Sequence, residues 1–450
     1  MELVKFSLAM IAITGMASSS FAADNLADAF KKGKVTGELR AWYFDKDAEK
    51  LNSSTSPTSV IKDTAKSGDI FNTVAIINYV TDTFYGFNLG ATMVASAAPF
   101  VDAEGKEAYK DDMYGSGTVL SEAYLGYTLG HTNAKIGRQY IKTPLINGSG
   151  SRIVKESFEG ATIVNTDVPA TTLMAGFIDK FQGRTSSGMG EEAGDIGNFE
   201  KRAIFLGVSA SATYAFDDAY TVEVINKSIS NLKLIGQYAW VGDVNLGINI
   251  KDVNIFYTEA KYVLPMNGFK LGFDANYRGS KTDLILGTGV NVISYDGTQT
   301  AGRISISELA GFGAAFTAAT NSKDDAVIAG MGNGTSSYTA TLIKASSPSL
   351  RANTDSYRFD LTYDFSVLGV TGLKSILQYG LANQDRVKSA STSADYTSYA
   401  AGVSYDVPAV KGLCLELLYE KQEIETTRYS NNTIFTADLD ELRFKANYKF

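Results

Sequence analysis

The chain has 450 residues, 44% of them apolar and 20% charged, with 42 Gly, 25 Tyr and 24 Phe but one Cys and one His. The lone cysteine, Cys414, excludes an internal disulfide and a thiolate metal cluster, and the lone His131 leaves hydrolytic or metal chemistry without its usual base or ligands. A net charge of −8 and a pI near 5.0 do not offer the basic face that a nucleic-acid partner requires. The expectation is a protein that is not an enzyme, with no cofactor and no metal.

Residues 1–22 read as a cleaved secretory signal peptide: Lys5 near the start, an apolar stretch from Phe6 to Ile13, and small residues Ser20 and Ala22 ahead of cleavage after Ala22. Residues 23–450 carry no Pro-rich linker or charge block, so one domain is expected. No later apolar run is long enough for a helix to cross a bilayer. A membrane-resident form would therefore be a closed barrel, the other structure in which every backbone polar group is paired.

The remaining chain alternates apolar and polar residues with the period of a strand. Phe269, Leu271, Phe273, Ala275 and Tyr277 interleave with Lys270, Gly272, Asp274, Asn276 and Arg278; Tyr357, Phe359, Leu361 and Tyr363 interleave with Arg358, Asp360, Thr362 and Asp364. The expected strands are 34–44, 69–80, 84–95, 119–129, 133–141, 159–166, 171–180, 219–228, 231–241, 252–264, 268–279, 300–310, 312–320, 355–366, 373–383, 396–407, 413–424 and 441–450. Alternation is blurred by Gly and Ala in 159–166, 219–228 and 300–320, and segment 203–216, placed in a loop, could also be a strand. Alternation alone fits a soluble sandwich too, but most of these segments exceed the usual strand length of about 5–6 residues and match the roughly 9–11 of a tilted bilayer crossing. Aromatics such as Tyr43, Tyr79, Tyr127, Tyr405 and Tyr448 fall at segment ends, where an interfacial girdle would need them. The reading is all-β, a transmembrane antiparallel barrel of about 18 strands.

Short connections, such as Thr81-Asp82-Thr83 and Gly130-His131-Thr132, alternate with long polar ones, the asymmetry of periplasmic turns and extracellular loops. An even strand number leaves both chain ends on the periplasmic side. Assigning the polar face of each strand to the lumen places Arg40, Glu122, Asp274, Arg278, Arg303, Arg358 and Asp360 on a nearly charge-balanced wall, expected to set up a transverse field of cations facing anions across water. Arg138 shares parity with Ala134 and Ile136, which points it at lipid; either a bulge or a neighbouring subunit would have to accommodate it.

Three stretches resemble the OprD-like outer-membrane porins and the related major outer membrane protein porins. Val35-Thr36-Gly37-Glu38-Leu39-Arg40 is similar to that family's first strand. Ile136-Gly137-Arg138-Gln139, Pro144, Ser151-Arg152 and Phe158-Glu159-Gly160 are similar to its fifth strand, inward third loop and sixth strand. Tyr448-Lys449-Phe450 resembles its closing aromatic signal for the barrel assembly machinery. The resemblance implies an 18-stranded, commonly trimeric channel in a Gram-negative outer membrane, among lipid and lipopolysaccharide, that passes small hydrophilic solutes. It also implies basic residues at a constriction that engage carboxylates, pointing to Arg152 and Arg40, although the long run of stacked arginines of single-substrate relatives is sparse here. The third loop, about 142–158, is locally basic through Lys142, Arg152 and Lys155, and is expected to fold inward and form an eyelet with Arg40. Two alternatives stay open: a channel preferring small carboxylates or amino acids, and a structural or adhesive barrel using long loops around 45–68, 181–218 and 321–354.

Other signals are set aside. Acidic pairs such as Asp111/Asp112 and Glu191/Glu192 lack the spacing of a calcium loop and are expected to be solvated. Gly330-Met331-Gly332-Asn333-Gly334 follows no strand-to-helix pattern and reads as flexible loop rather than a phosphate cradle.

Overall fold

The computed structural model describes residues 23–450 apart from 24, 54–61, 65–66, 210–211, 248–249, 283–284, 287–292, 344–347, 388–391 and 430–432; the leader lies outside the described residues. A short helix, α1 (Leu26–Lys31), starts at Asn25, whose side chain accepts from the Asp28 N–H at 2.9 Å and so satisfies an otherwise orphan donor. Eighteen long strands follow: β1 (Lys34–Ser53), β2 (Gly68–Val80), β3 (Phe87–Ala97), β4 (Gly115–Leu129), β5 (Thr132–Gln139), β6 (Ser157–Asn165), β7 (Thr171–Gln182), β8 (Ala219–Asn226), β9 (Leu232–Asn245), β10 (Ile250–Met266), β11 (Phe269–Lys281), β12 (Thr298–Leu309), β13 (Phe312–Asn321), β14 (Thr354–Asp364), β15 (Leu373–Gln384), β16 (Thr392–Asp406), β17 (Leu413–Arg428) and β18 (Thr433–Lys449). A second helix, α2 (Ala103–Tyr109), lies between β3 and β4.

Each strand pairs antiparallel with its neighbours in sequence, and β18 pairs with β1 from Glu38↔Lys449 to Ser53↔Ile434, so the sheet closes without an edge. The fold expectation is borne out, including the strand number. The start of β1 meets the last residue at the short-turn end, where Gly37 and Phe450 exchange backbone hydrogen bonds of 2.9 and 3.1 Å. His131 sits exposed in the β4–β5 turn, as expected. The outer face carries the apolar half of the alternation: Leu39, Phe273, Ile304, Phe316, Phe359, Leu377, Val403, Leu417 and Phe444 are exposed.

The upper strands run beyond their expected ends. At about 3.4 Å per residue and a tilt near 45°, the 17 residues of β18 rise roughly 41 Å, well above the apolar band of about 25 Å. Above that band both faces meet water, so period-two alternation stops while backbone pairing continues.

The interior is not uniformly water-facing. Phe158, Ile178, Phe181, Ala219, Ile235, Ala239, Val241, Val253 and Ile255, on the inner face of β6–β10, pack against Ile141, Leu145, Ile146, Met189, Ile204, Phe205 and Met331 from three long loops. Burying a side chain such as Phe158 contributes about 1.5–3 kcal/mol, so these loops are held inside the barrel. This weakens the alternation in 219–228, where the inward Ala219 packs against loop residues while Thr221 and Glu223 stay buried beside it. Segment 203–216 belongs to such a loop, with two-residue strands at Arg202–Ala203, Phe205–Leu206 and Tyr214–Ala215. A smaller apolar cluster joins Trp42, Phe44, Ile70 and Val74 of β1 and β2 to Tyr109, Met113, Ile153 and Val154.

Two expectations about loops are corrected. Residues 330–334 are packed rather than flexible: Gly330 adopts φ +149°, and a Cβ there would lie 2.3 Å from the Leu145 carbonyl oxygen, so only glycine allows the two backbones to approach. Asp112, expected to be solvated, pairs with Arg152.

Candidate pore constriction

The connection 140–156 crosses the barrel. At one end Arg40 of β1 donates from Nη1 to the Ile153 carbonyl (3.1 Å), and at the other the Leu145 N–H donates to Gln237 Oε1 of β9 (2.8 Å); β1 and β9 stand eight positions apart in the ring. A second inward segment, 332–343, comes from the β13–β14 loop. Arg278 Nη2 donates to the Ser336 carbonyl (2.8 Å), Tyr338 to Glu259, Arg358 to the Ala340 carbonyl, and Thr341 Oγ1 and the Ile343 N–H to the two Glu420 oxygens (2.6 and 2.7 Å). The two segments meet at Glu156. This fully buried carboxylate accepts from the Ser149 N–H (2.9 Å), the Asn333 N–H (2.9 Å) and Asn333 Nδ2 (2.8 Å), and forms an ion pair with Arg184 at 3.0 Å.

Between these loops and the inner wall of β12–β18 lies a cavity of about 780 Å³. Seven cations line it (Lys46, Arg152, Arg184, Arg303, Arg358, Arg443, Lys445) against four anions (Asp111, Asp112, Asp360, Glu416). Of the residues singled out from sequence, Arg152, Arg303, Arg358 and Asp360 line this cavity. Lys142, Lys155, Arg40 and Glu122 do not; they form a separate group beside loop 140–156, in which Lys155 lies 3.8 Å above the Tyr140 ring and Glu122 accepts from the Tyr140 N–H at 3.3 Å and from Thr92 Oγ1 at 2.6 Å. Arg278 and Asp274 sit on the wall of β11, Arg278 covered by Ser336.

Charges on the wall are held in local pairs rather than facing one another across water, which corrects the expected transverse field. Arg40–Glu38 (2.8 Å), Arg358–Asp360 (2.9 Å), Arg443–Glu441 (2.7 Å) and Lys261–Glu259 (3.0 Å) each join positions i and i+2 of one strand, while Arg303–Asp274 spans β11 and β12. Side chains two apart in a strand share a face, so the pattern was visible in the sequence as opposite charges at alternate positions. Arg443 and Lys445 follow from the same parity. Arg184 carries no such signal, because it belongs to the long loop 183–218.

Burial sets the state of two loop cations. Desolvation pushes the Lys155 ammonium down to about 8, against the opposing pull of Glu122. Desolvation also opposes the charge on Arg152, but Asp112 at 2.5 Å outweighs it and holds the guanidinium above its ordinary value.

Arg138 stays on the outer face. Its Nε pairs with Glu159 at 3.0 Å, Lys180 pairs with the same carboxylate at 2.8 Å, and its guanidinium stacks over Phe199 at 4.3 Å. The preceding Gly137 takes φ +120°, and the β6–β7 register shifts between Glu159 and Gly160.

A closed 18-stranded barrel, apolar outside and narrowed by inward loops over a charged cavity, defines the class of outer-membrane porins. The family model described as outer membrane porin, OprD family, matches residues 28–232. Among solved structures it resembles Pseudomonas aeruginosa OccK8 (OprE), with TM-score 0.70 at 16% identity over 94% of this chain and 99% of that one. Pseudomonas aeruginosa OpdL gives 0.69 at 18%, over 93% and 99%. Pseudomonas aeruginosa OpdK, solved with vanillate, gives 0.70 at 14%, over 94% and 99%. At these identities the likeness is one of fold. The curated proteins contain no match to the sequence.

Proposed function

We propose that this porin is a water-filled channel for passive diffusion of small hydrophilic solutes, with a partly basic constriction that prefers small carboxylates. The observation that carries this reading is the excess of cations over anions around the 780 Å³ cavity beneath loop 140–156. Guanidinium groups engage carboxylates through paired, charge-assisted hydrogen bonds, and the vanillate in the OpdK structure is a carboxylate. The adhesive alternative is disfavoured, because much of 181–218 and 321–354 is buried inside the barrel. The working form is proposed to be a homotrimer in outer-membrane lipid and lipopolysaccharide, secreted by its leader and inserted through recognition of Phe450, without catalysis.

Purified protein in a planar bilayer tests the reading. Steady conductance, with current through the open channel falling on addition of benzoate or vanillate but not of glucose or arginine, is the expected result. Arg152→Ala should weaken that block and lower anion preference. Absence of conductance refutes the channel; identical responses to carboxylate and neutral solutes refute the preference; an unchanged Arg152→Ala channel removes Arg152 from the constriction.

A further inference from the structure

Strand register stacks three rows of side chains on the outer face of β4–β8. The lowest runs Tyr127–Ala134–Ile163–Ala175–Val222 and the next Leu125–Ile136–Ala161–Phe177–Tyr220. The alanines are shorter than the aromatic and branched side chains around them, and they floor an apolar groove of about 560 Å³. The third row, one step further from the periplasmic turns, is Ala123–Arg138–Glu159–Lys180. Glu159 takes both Arg138 (3.0 Å) and Lys180 (2.8 Å), Asp179 lies 3.6 Å from Lys180, and Lys201 continues the chain to Asp179 at 3.0 Å. Arg138 and Lys180 against Glu159 and Asp179 leave these four groups without net charge.

Depth sets this row apart. Arg138 stands six positions above Thr132 at the foot of β5, and Glu159 six above Asn165 at the foot of β6. At about 3.4 Å per residue and a tilt near 45° that is roughly 14 Å, close to the middle of an apolar band of about 25 Å. At the same step the outer face of β11 presents Ala275 and that of β17 presents Tyr419. The Arg138 and Lys180 side chains are each 36% exposed. Acyl chains offer such groups neither a hydrogen-bond partner nor a counter-charge. Headgroup phosphates lie at the edges of the band, and four paired charges of no net sign leave nothing for a phosphate to neutralise. A protein surface with polar groups at the same depth answers the need.

We propose that the outer face of β4–β8 is the contact surface between copies of this chain, the ionic row of one facing that of the next, with the exposed Ile136 and Ile163 packing at the alanine groove. Copies inserted alike in one bilayer hold their rows at equal depth, so a second copy brings cations and anions to the level where they are needed. The inference rests on the homotrimeric reading above and assigns it a face.

Cross-linking in isolated outer membranes tests the surface. In a Cys414→Ser background, which leaves no native thiol, Ile163→Cys on β6 is compared with Leu377→Cys on β15, nine positions round the ring and also exposed. A flexible bismaleimide should join copies through position 163 and not through 377. Adding Ala161→Trp, which fills the groove floor with a side chain that an apolar outer wall tolerates, should cut the cross-linked fraction about tenfold, with the heat-modifiable barrel and its conductance unchanged. Cross-links through 377 alone, or equally through both positions, overturn the face while leaving an oligomer standing. Cross-links through neither overturn the face and the oligomer together and give the groove to lipid. An undiminished yield through 163 in Ala161→Trp also counts against the surface.

Discussion

Glu156 is the residue whose loss should loosen the constriction without unfolding the barrel. Its carboxylate is fully buried and joins three loops, accepting from Ser149 within 140–156 and from Asn333 within 322–353 and pairing ionically with Arg184 within 183–218. In Glu156→Ala, Arg184 becomes a buried charge without this counterion, and breaking a buried pair in that way costs about 3–5 kcal/mol. Two backbone N–H donors are orphaned as well, at about 1–3 kcal/mol each if they stay buried. The lost interactions hold loops and contribute nothing to the strand ladders, so the cost falls on loop docking. Even the lower figure of about 3 kcal/mol shifts the balance between docked and released loops roughly 100-fold. Single-channel recording should show a larger mean conductance with frequent transitions between levels. Glu156→Gln, which keeps an acceptor oxygen but not the charge, should fall between wild type and alanine. Channels of wild-type conductance and noise in Glu156→Ala, from protein that still migrates as a folded barrel before heating, would refute the claim that this carboxylate locks the loops.

Two further expectations concern other parts of the molecule. Lys155, with its ammonium lowered to about 8 by burial, is charged at pH 6 and neutral at pH 9.5; Glu122 and Glu38 favour the charge, whereas Arg40 and Lys142 oppose it. Anion preference, read from the reversal potential in a salt gradient, should therefore fall as pH rises through about 8, and Lys155→Met should remove that step. Phe450 stacks on Tyr448 at 6.1 Å and closes β18 onto Gly37; Phe450→Ala should lower the amount of heat-modifiable barrel in outer-membrane fractions several-fold, while wild-type amounts would argue against a terminal assembly signal.

The legibility of the fold varied with what each strand face touches. Where the outer face is apolar and the inner face polar, as in β11 and β14, the alternation of Phe273 and Phe359 with Asp274 and Arg358 fixed both the strand and its orientation. Where the inner face meets another part of the protein, as in β6 and β8, Phe158 and Ala219 put apolar residues at inward positions and weakened the pattern. The wall residues Arg303, Arg358 and Asp360 were accessible by parity alone. Arg184 was not, because nothing in the local sequence of a long loop states which way it folds.

The amino-acid sequence by itself determined the run of period-two strands, since that period is a property of neighbouring residues and of the two media they face, and strand length and terminal aromatics added the expectation of an antiparallel transmembrane barrel. It also determined which strand residues point inward. Only the tertiary structure decided how much of the lumen is filled, which arginines reach the cavity, and that Glu156 binds three loops together. Those outcomes depend on contacts between segments as far apart as Glu156 and Asn333, a separation of 177 positions, over which no local pattern carries information.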